Sequence, residues 1–225
     1  VPYLHTEPFY FDMPRRGIEL RDFVPSAMAA AAEAGEIDAG LVPVVDAFKI
    51  EDRFQPIVGF SIACNDSSGS VFLYSTKPIE ELSGARIGVT DEAVTAPKLL
   101  EVLLKFRYDI TASEYVPLQP QEYDAFLLIG NRALRQRRGA RGFPHRYDLG
   151  QEWNAWTGLP FVFSRWVARK DMDSKELALL EDTLYVGLED GVAALYHLSE
   201  PKDELLLQPR DEVTHHQGVR YIMRL

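Results

Sequence analysis

Apolar and polar positions along the 225-residue chain fall into blocks that read alternately as strand and helix. Val1-Pro2-Tyr3-Leu4 reads as the end of a buried strand, and the passage to His5, Thr6, Glu7 and the turn-forming Pro8 is an abrupt change from core to polar chemistry. Residues 22 to 35 (DFVPSAMAAAAEAG) predict a helix, with Pro25 and Ser26 near its start, an alanine-rich body and Gly35 as its stop. Residues 37 to 45 (IDAGLVPVV) are an apolar run with β-branched members, short enough for a buried strand that closes a β-α-β unit.

Residues 60 to 64 (FSIAC) and 70 to 75 (SVFLYS) predict strands separated by the polar turn NDSSG. After Lys77-Pro78 a second β-α module begins: IEELSG as a short helix, residues 85 to 90 as a strand, DEAVTA as a polar turn, and PKLLEVLLKF as an amphipathic helix opened by Pro97. Residues 123 to 131 (YDAFLLIGN) predict a strand running into a tight turn at Gly130 and Asn131. DLGQEWNAWTG then carries polar and aromatic residues into an apolar strand, LPFVFSRWVA, at 159 to 168. A long helix over 174 to 197 follows, weakened by Gly187 and Gly191, and GVRYIMRL reads as a final strand or helical turn. Two strand-like crossings, near residues 70 to 78 and 159 to 168, predict an α/β chain of two lobes with a ligand cleft between them. The expected lobes are residues 1–76 plus 163–225, and residues 77–162.

Composition narrows the partners. With 24 Lys plus Arg against 34 Asp plus Glu, the net charge of −10 repels a phosphate backbone, so nucleic acid is not expected as a partner. The one basic run, residues 132 to 146 with six Arg, is broken by glycines and lacks interleaved aromatics, and reads as a solvated loop. Cys64 is the only cysteine, which excludes an internal disulfide and a cysteine-based structural metal site and suits a cytoplasmic location. No apolar run approaches the roughly 20 residues of a membrane helix, so no membrane partner is expected. The first residue is Val1 rather than Met, so further residues are expected upstream.

Four junctions between strand and turn present polar groups: His5-Thr6, Ser67-Ser68-Gly69-Ser70, residues 90 to 95, and Gly130-Asn131. In DEAVTAPKLL the turn leads straight into a helix, whose first-turn N–H groups and positive dipole end favour a carboxylate or phosphate. A small anionic ligand is therefore expected. Each junction also has an ordinary reading: Thr95 as a helix cap, Ser70 and Asn131 as turn residues, His5 as a hydrogen-bonded structural residue. Nucleotide-binding glycine loops, the nucleophile elbow and the HExxH zinc motif are missing, and His215-His216 would point to opposite faces of an extended chain, so neither cofactor nor metal is expected.

The segments VPYLHTEP, RDFVPSAMA, GEIDAGLVPVV, SVFLYS, PIEEL, LLIGNRAL and DLGQEWNAWTGLPFVFSRW, in this order and spanning nearly the whole chain, resemble the chorismate dehydratase family of the futalosine route to menaquinone. The resemblance implies the fold of type II periplasmic solute-binding proteins, two α/β lobes with a ligand cleft between them. It also implies a lyase reaction, loss of water from chorismate to give 3-[(1-carboxyvinyl)oxy]benzoate. Because chorismate carries two carboxylates, a helix N-terminus with hydroxyl donors is the expected receptor.

Where the family pattern has Asn after Tyr-Leu, this chain has His5, and where it has two serines flanking a threonine, this chain has Ala93, Thr95 and Ala96. Asn131 stands where the pattern has Asp. On this reading His5 is the candidate catalytic residue, because imidazole donates a hydrogen bond as Asn does and can also act as a base near neutral pH. Ser70, Ala93, Val94, Thr95, Ala96 and Asn131 are the candidate substrate-binding residues. The alternatives are a paralogue that takes another small carboxylate, and an exported solute-binding protein without chemistry.

Overall fold

Of the strand end expected at Val1–Leu4, Tyr3 is extended but Leu4 already begins a helical turn. In the computed structural model, which describes residues 3–112, 114–119, 122–198 and 219–222, a 3₁₀ turn at Leu4–Thr6 runs directly into a one-turn helix α1, Glu7–Tyr10. Pro8 sits in the first turn of α1, where its missing N–H has no partner to lose. Val1 and Pro2 lie outside the described residues. The helix expected over 22–35 is also shorter. Val24 is extended (φ −70°, ψ 154°), as the residue before a proline prefers to be, Pro25–Ala27 makes one 3₁₀ turn, and the helix α2 is Met28–Glu33. Gly35 does end it, in the left-handed region at φ 73°.

The described residues up to Ile62 and those from Val162 to Leu198 form one compact unit, and Ala63–Phe161 form the main body of a second. In the first, β1 (Ala39–Pro43) stops where Pro43 can donate no further hydrogen bond, and Val44–Ala47 turns into a short helix α3. β2 (Phe54–Cys64) begins well before the strand expected at residue 60. β1 pairs antiparallel with β8 (Phe161–Arg169), Leu41 opposite Trp166, so the expected β-α-β unit does not close there. With β9 (Val219–Ile222) the sheet order is β1-β8-β2-β9. Met28, Val42, Ile50, Phe54 and Val167 pack into its core, each burial contributing about 1.5 to 3 kcal/mol. Helix α7 (Ser174–Leu198) runs unbroken through Gly187 and Gly191 and packs on α1.

The second unit is a five-stranded sheet in the order β5-β4-β6-β3-β7. Its strands are β3 (Val71–Ser75), β4 (Arg86–Val89), β5 (Glu114–Pro117), β6 (Ala125–Ile129) and β7 (His145–Asp148). β4 runs parallel to β5 and β6, whereas β3 runs antiparallel to β6 and β7. The segment SVFLYS, expected as a crossing that ends the first lobe, thus supplies an inner strand here, buried at every position. The first boundary moves from residue 76 to the junction of Ile62 and Ala63, and the second falls between Phe161 and Val162.

Three helices follow the strands: α4 (Thr95–Val102), continued by one π turn at Leu103–Arg107, α5 (Gly130–Gln136) and α6 (Leu149–Thr157). IEELSG makes only a 3₁₀ turn, Ile79–Glu81. The basic run over 132–146 is not one loop: it begins in α5 and ends in β7, where the Arg146 guanidinium lies 5.2 Å from the centre of the Phe72 ring.

Candidate ligand site at the strand ends of the second unit

Strand direction decides which polar groups meet. β4 and β6 are parallel, so both end at one edge of the sheet. β3 is antiparallel to β6 and therefore starts at that edge, and β7, antiparallel to β3, ends there too. The register places Val71 opposite Ile129 and Phe72 opposite Asp148. Thr90, the turn Ser68-Gly69-Ser70, Gly130-Asn131 and Asp148 are thereby gathered at one edge. Ser68, Ser70, Thr90, Thr95 and Asp148 are all buried.

Ser70 and Gly130, distant in the chain, are in direct contact: the Gly130 N–H donates to the Ser70 carbonyl at 2.9 Å. Gly130 holds φ 56°, a left-handed conformation that turns β6 sharply into α5 and that a side chain would strain. Asn131 follows as the second residue of α5 and is half-buried. The Ser70 hydroxyl reaches only the Ser68 carbonyl, at a long 3.4 Å, while Ser68 Oγ accepts the Val71 N–H at 3.0 Å. Ser68 thus organises the turn, and the Ser70 hydroxyl contributes little to it.

Thr95 is not the cap of α4. The capping position belongs to Val94, which has no side-chain oxygen, and Thr95 is the first helical residue. Ala93 also departs from expectation as a ligand donor, because its N–H is taken by the Thr90 carbonyl at 3.1 Å in the preceding turn. The first-turn amides of α4 belong to Thr95 and Ala96, since Pro97 has none. Their positive dipole end favours an anion at the edge where β4 ends.

α6 is different, because its N-terminus already holds a carboxylate. Asp148 caps it, accepting from the amides of Gly150 at 2.9 Å and Gln151 at 3.2 Å. The same carboxylate accepts from the amides of Ser68 at 2.8 Å and Gly69 at 2.7 Å, which ties the serine turn to α6. Sequence reasoning passed over Asp148 and the helix it starts, although Asp148 followed three residues later by Gln151, with Gly158 beyond, is a helix start and stop signal. Cys64 lies against this junction: a Cβ built on Gly150 would stand 2.5 Å from its sulfur. Burial, with a smaller push from Asp148, raises the Cys64 thiol to about 12, so it stays protonated and is no nucleophile.

His5 belongs to the first unit and the other six candidates to the second. It lies in the Leu4–Thr6 turn, half-buried, with its ring stacked on Tyr3 at 5.6 Å between centroids and 27° between planes. The Thr6 hydroxyl donates to the Tyr3 carbonyl at 2.7 Å and fixes the same turn. Among the described residues no cluster of His, Cys, Asp and Glu is arranged to hold a metal ion, and no helix is long and apolar enough to cross a membrane.

Comparison with known proteins agrees with this architecture. A protein of Bordetella bronchiseptica RB50 superposes with a TM-score of 0.64 at 12% identity, over 100% of this chain and 81% of its own. One of Archaeoglobus fulgidus gives 0.61 at 16%, over 85% and 75%. The alkanesulfonate-binding protein SsuA of Xanthomonas axonopodis pv. citri gives 0.55 at 13%, over 94% and 78%. At such identities they show the fold alone, the mixed α/β type II periplasmic-binding-protein kind. In sequence, a chorismate dehydratase of Thermus thermophilus is 28% identical over 188 residues, 75% of this chain and 68% of that protein. Residues 1–206 match the sequence family described as menaquinone biosynthesis, and the chain belongs to that family.

Proposed function

We propose that this protein is a cytoplasmic chorismate dehydratase that eliminates water from chorismate to give 3-[(1-carboxyvinyl)oxy]benzoate. The observation that carries the reading is the 28% identity to a chorismate dehydratase within a family match over residues 1–206. The strand-end edge of the second unit supports it chemically, with buried Ser70 at that edge and buried Thr95 in the first turn of α4, the type of groups a carboxylate needs. The elimination breaks a C–H and a C–O bond on neighbouring ring carbons, and proton and hydroxide leave as water. Because the product ring is aromatic, the protein's task is to orient the substrate and to steer one proton. We assign the proton to His5, on its place where the family pattern has Asn and on imidazole chemistry.

The test is incubation of purified protein with chorismate, with the loss of one water followed by mass and the new aromatic ring by absorbance. A second reading is favoured by Ala93 and Ala96, which bring methyl groups where the family pattern brings hydroxyls. On that reading the chain takes another small carboxylate. Absence of product together with absence of chorismate binding in calorimetry would select it.

A further inference from the structure

We propose that Asp148 is a positioning residue for the serine turn, setting where Ser70 stands against the end of β6. The inference rests on the reading of Ser70 as ligand-facing. Capping α6 requires only a short side chain with one oxygen, and Ser or Thr would serve. Asp148 does more. Its Oδ2 accepts the Gly69 N–H at 2.7 Å and its Oδ1 the Ser68 N–H at 2.8 Å, across 79 and 80 residues of chain, in addition to the two amides of α6. A single buried carboxylate thus satisfies four backbone donors from two distant segments, each a charge-assisted bond.

The turn is pinned from its other side by Gly130, whose N–H meets the Ser70 carbonyl. Between these two attachments the Ser70 hydroxyl has only its long contact to the Ser68 carbonyl. Gly150 leaves room for the clasp, because a Cβ there would approach Ser68 N to 2.9 Å and Asp148 Oδ1 to 3.2 Å. Asp148 acts through Ser70 and touches no reacting atom itself.

Asp148→Ser separates the two tasks, since serine caps α6 but is too short to hold the turn. The expected result is a folded protein in which amide exchange accelerates at Ser68, Gly69 and Gly130 but not in α4. Its Kd for chorismate should rise at least about tenfold, the scale of a displaced binding group. Combined with Ser70→Ala it should bind no worse than Ser70→Ala alone, because both changes remove one contact. Should Asp148→Ser fail to fold, Asp148→Asn is the second variant: it keeps the Oδ1 bonds and turns an N–H against Gly69. Additive losses in the double variant, or unchanged exchange at Gly130, overturn the proposal. If the wild type binds no chorismate, the proposed function fails, while Gly130 exchange still decides whether Asp148 positions the turn.

Discussion

Gly187 of α7 lies beneath the carbonyl of Pro8 so closely that a Cβ on it would stand 2.4 Å from the oxygen and 3.3 Å from that of Phe9. The glycine that weakens α7 as a helix is what lets α1 pack against it. Gly187→Ala should therefore destabilise the protein. The helix gains roughly 1 kcal/mol, but displacing a backbone segment in a packed interface costs about 1 to 3 kcal/mol, and the segment carries the turn that holds His5. Urea unfolding measures the balance, and a raised midpoint would show that α1 gives way without cost.

Alkaline pH should destabilise the fold through three buried acidic protons. Burial raises Cys64 from 9.0 to about 12, and Tyr74 and Tyr115 from 10.0 to about 12. The folded state therefore holds these protons after the unfolded chain has released them. Stability from this source is complete below pH 9.0 and is lost as pH climbs toward about 12. The urea midpoint should fall steadily above pH 9, and Cys64 should react with thiol reagents only as the protein opens. A midpoint unchanged to pH 11 would contradict it.

Thr95→Val keeps shape and burial while removing the hydroxyl from the first turn of α4. Folding should be nearly unaffected and chorismate binding weakened by about 1 to 3 kcal/mol, the range of a hydrogen bond to a charged group. Calorimetry that finds equal affinity would leave Thr95 with a structural role only.

His5→Ala should abolish formation of the aromatic product, and His5→Asn should leave some of it, since Asn can still orient the substrate through a hydrogen bond. An inert wild type that gains activity through His5→Asn with Ala93→Ser and Ala96→Ser would instead show that the three departures block the reaction. Product in the His5→Ala variant would remove His5 from the mechanism.

Local signals were legible where a single residue dictates the backbone. Gly35 stops α2, and the apolar run at 125–129 forms β6. The errors arose where two signals compete or where pairing is non-local. Leu4 enters a 3₁₀ turn where the apolar start of the chain suggests a strand end, and Pro25 shortens a helix that alanine content lengthens. α6 hid behind its tryptophans because a half-exposed aromatic stripe does not show a clean helical period. For the site, the polar junctions were visible one by one, but the meeting of Ser70 with Gly130 and of Asp148 with Ser68 depends on antiparallel register. No local pattern reveals register when both faces of a strand are buried.

The place of β3 between β6 and β7 has a consequence for biosynthesis. Its neighbours β6 and β7 are encoded at residues 125–148, so Val71–Ser75 leaves the ribosome long before either partner exists. During that interval a five-residue, β-prone segment, buried on both faces in the finished sheet, has nothing to cover it. The nascent chain is open to misassociation there, and a holding chaperone that recognises short apolar extended stretches would find a binding segment in VFLYS until Asp148 has been translated.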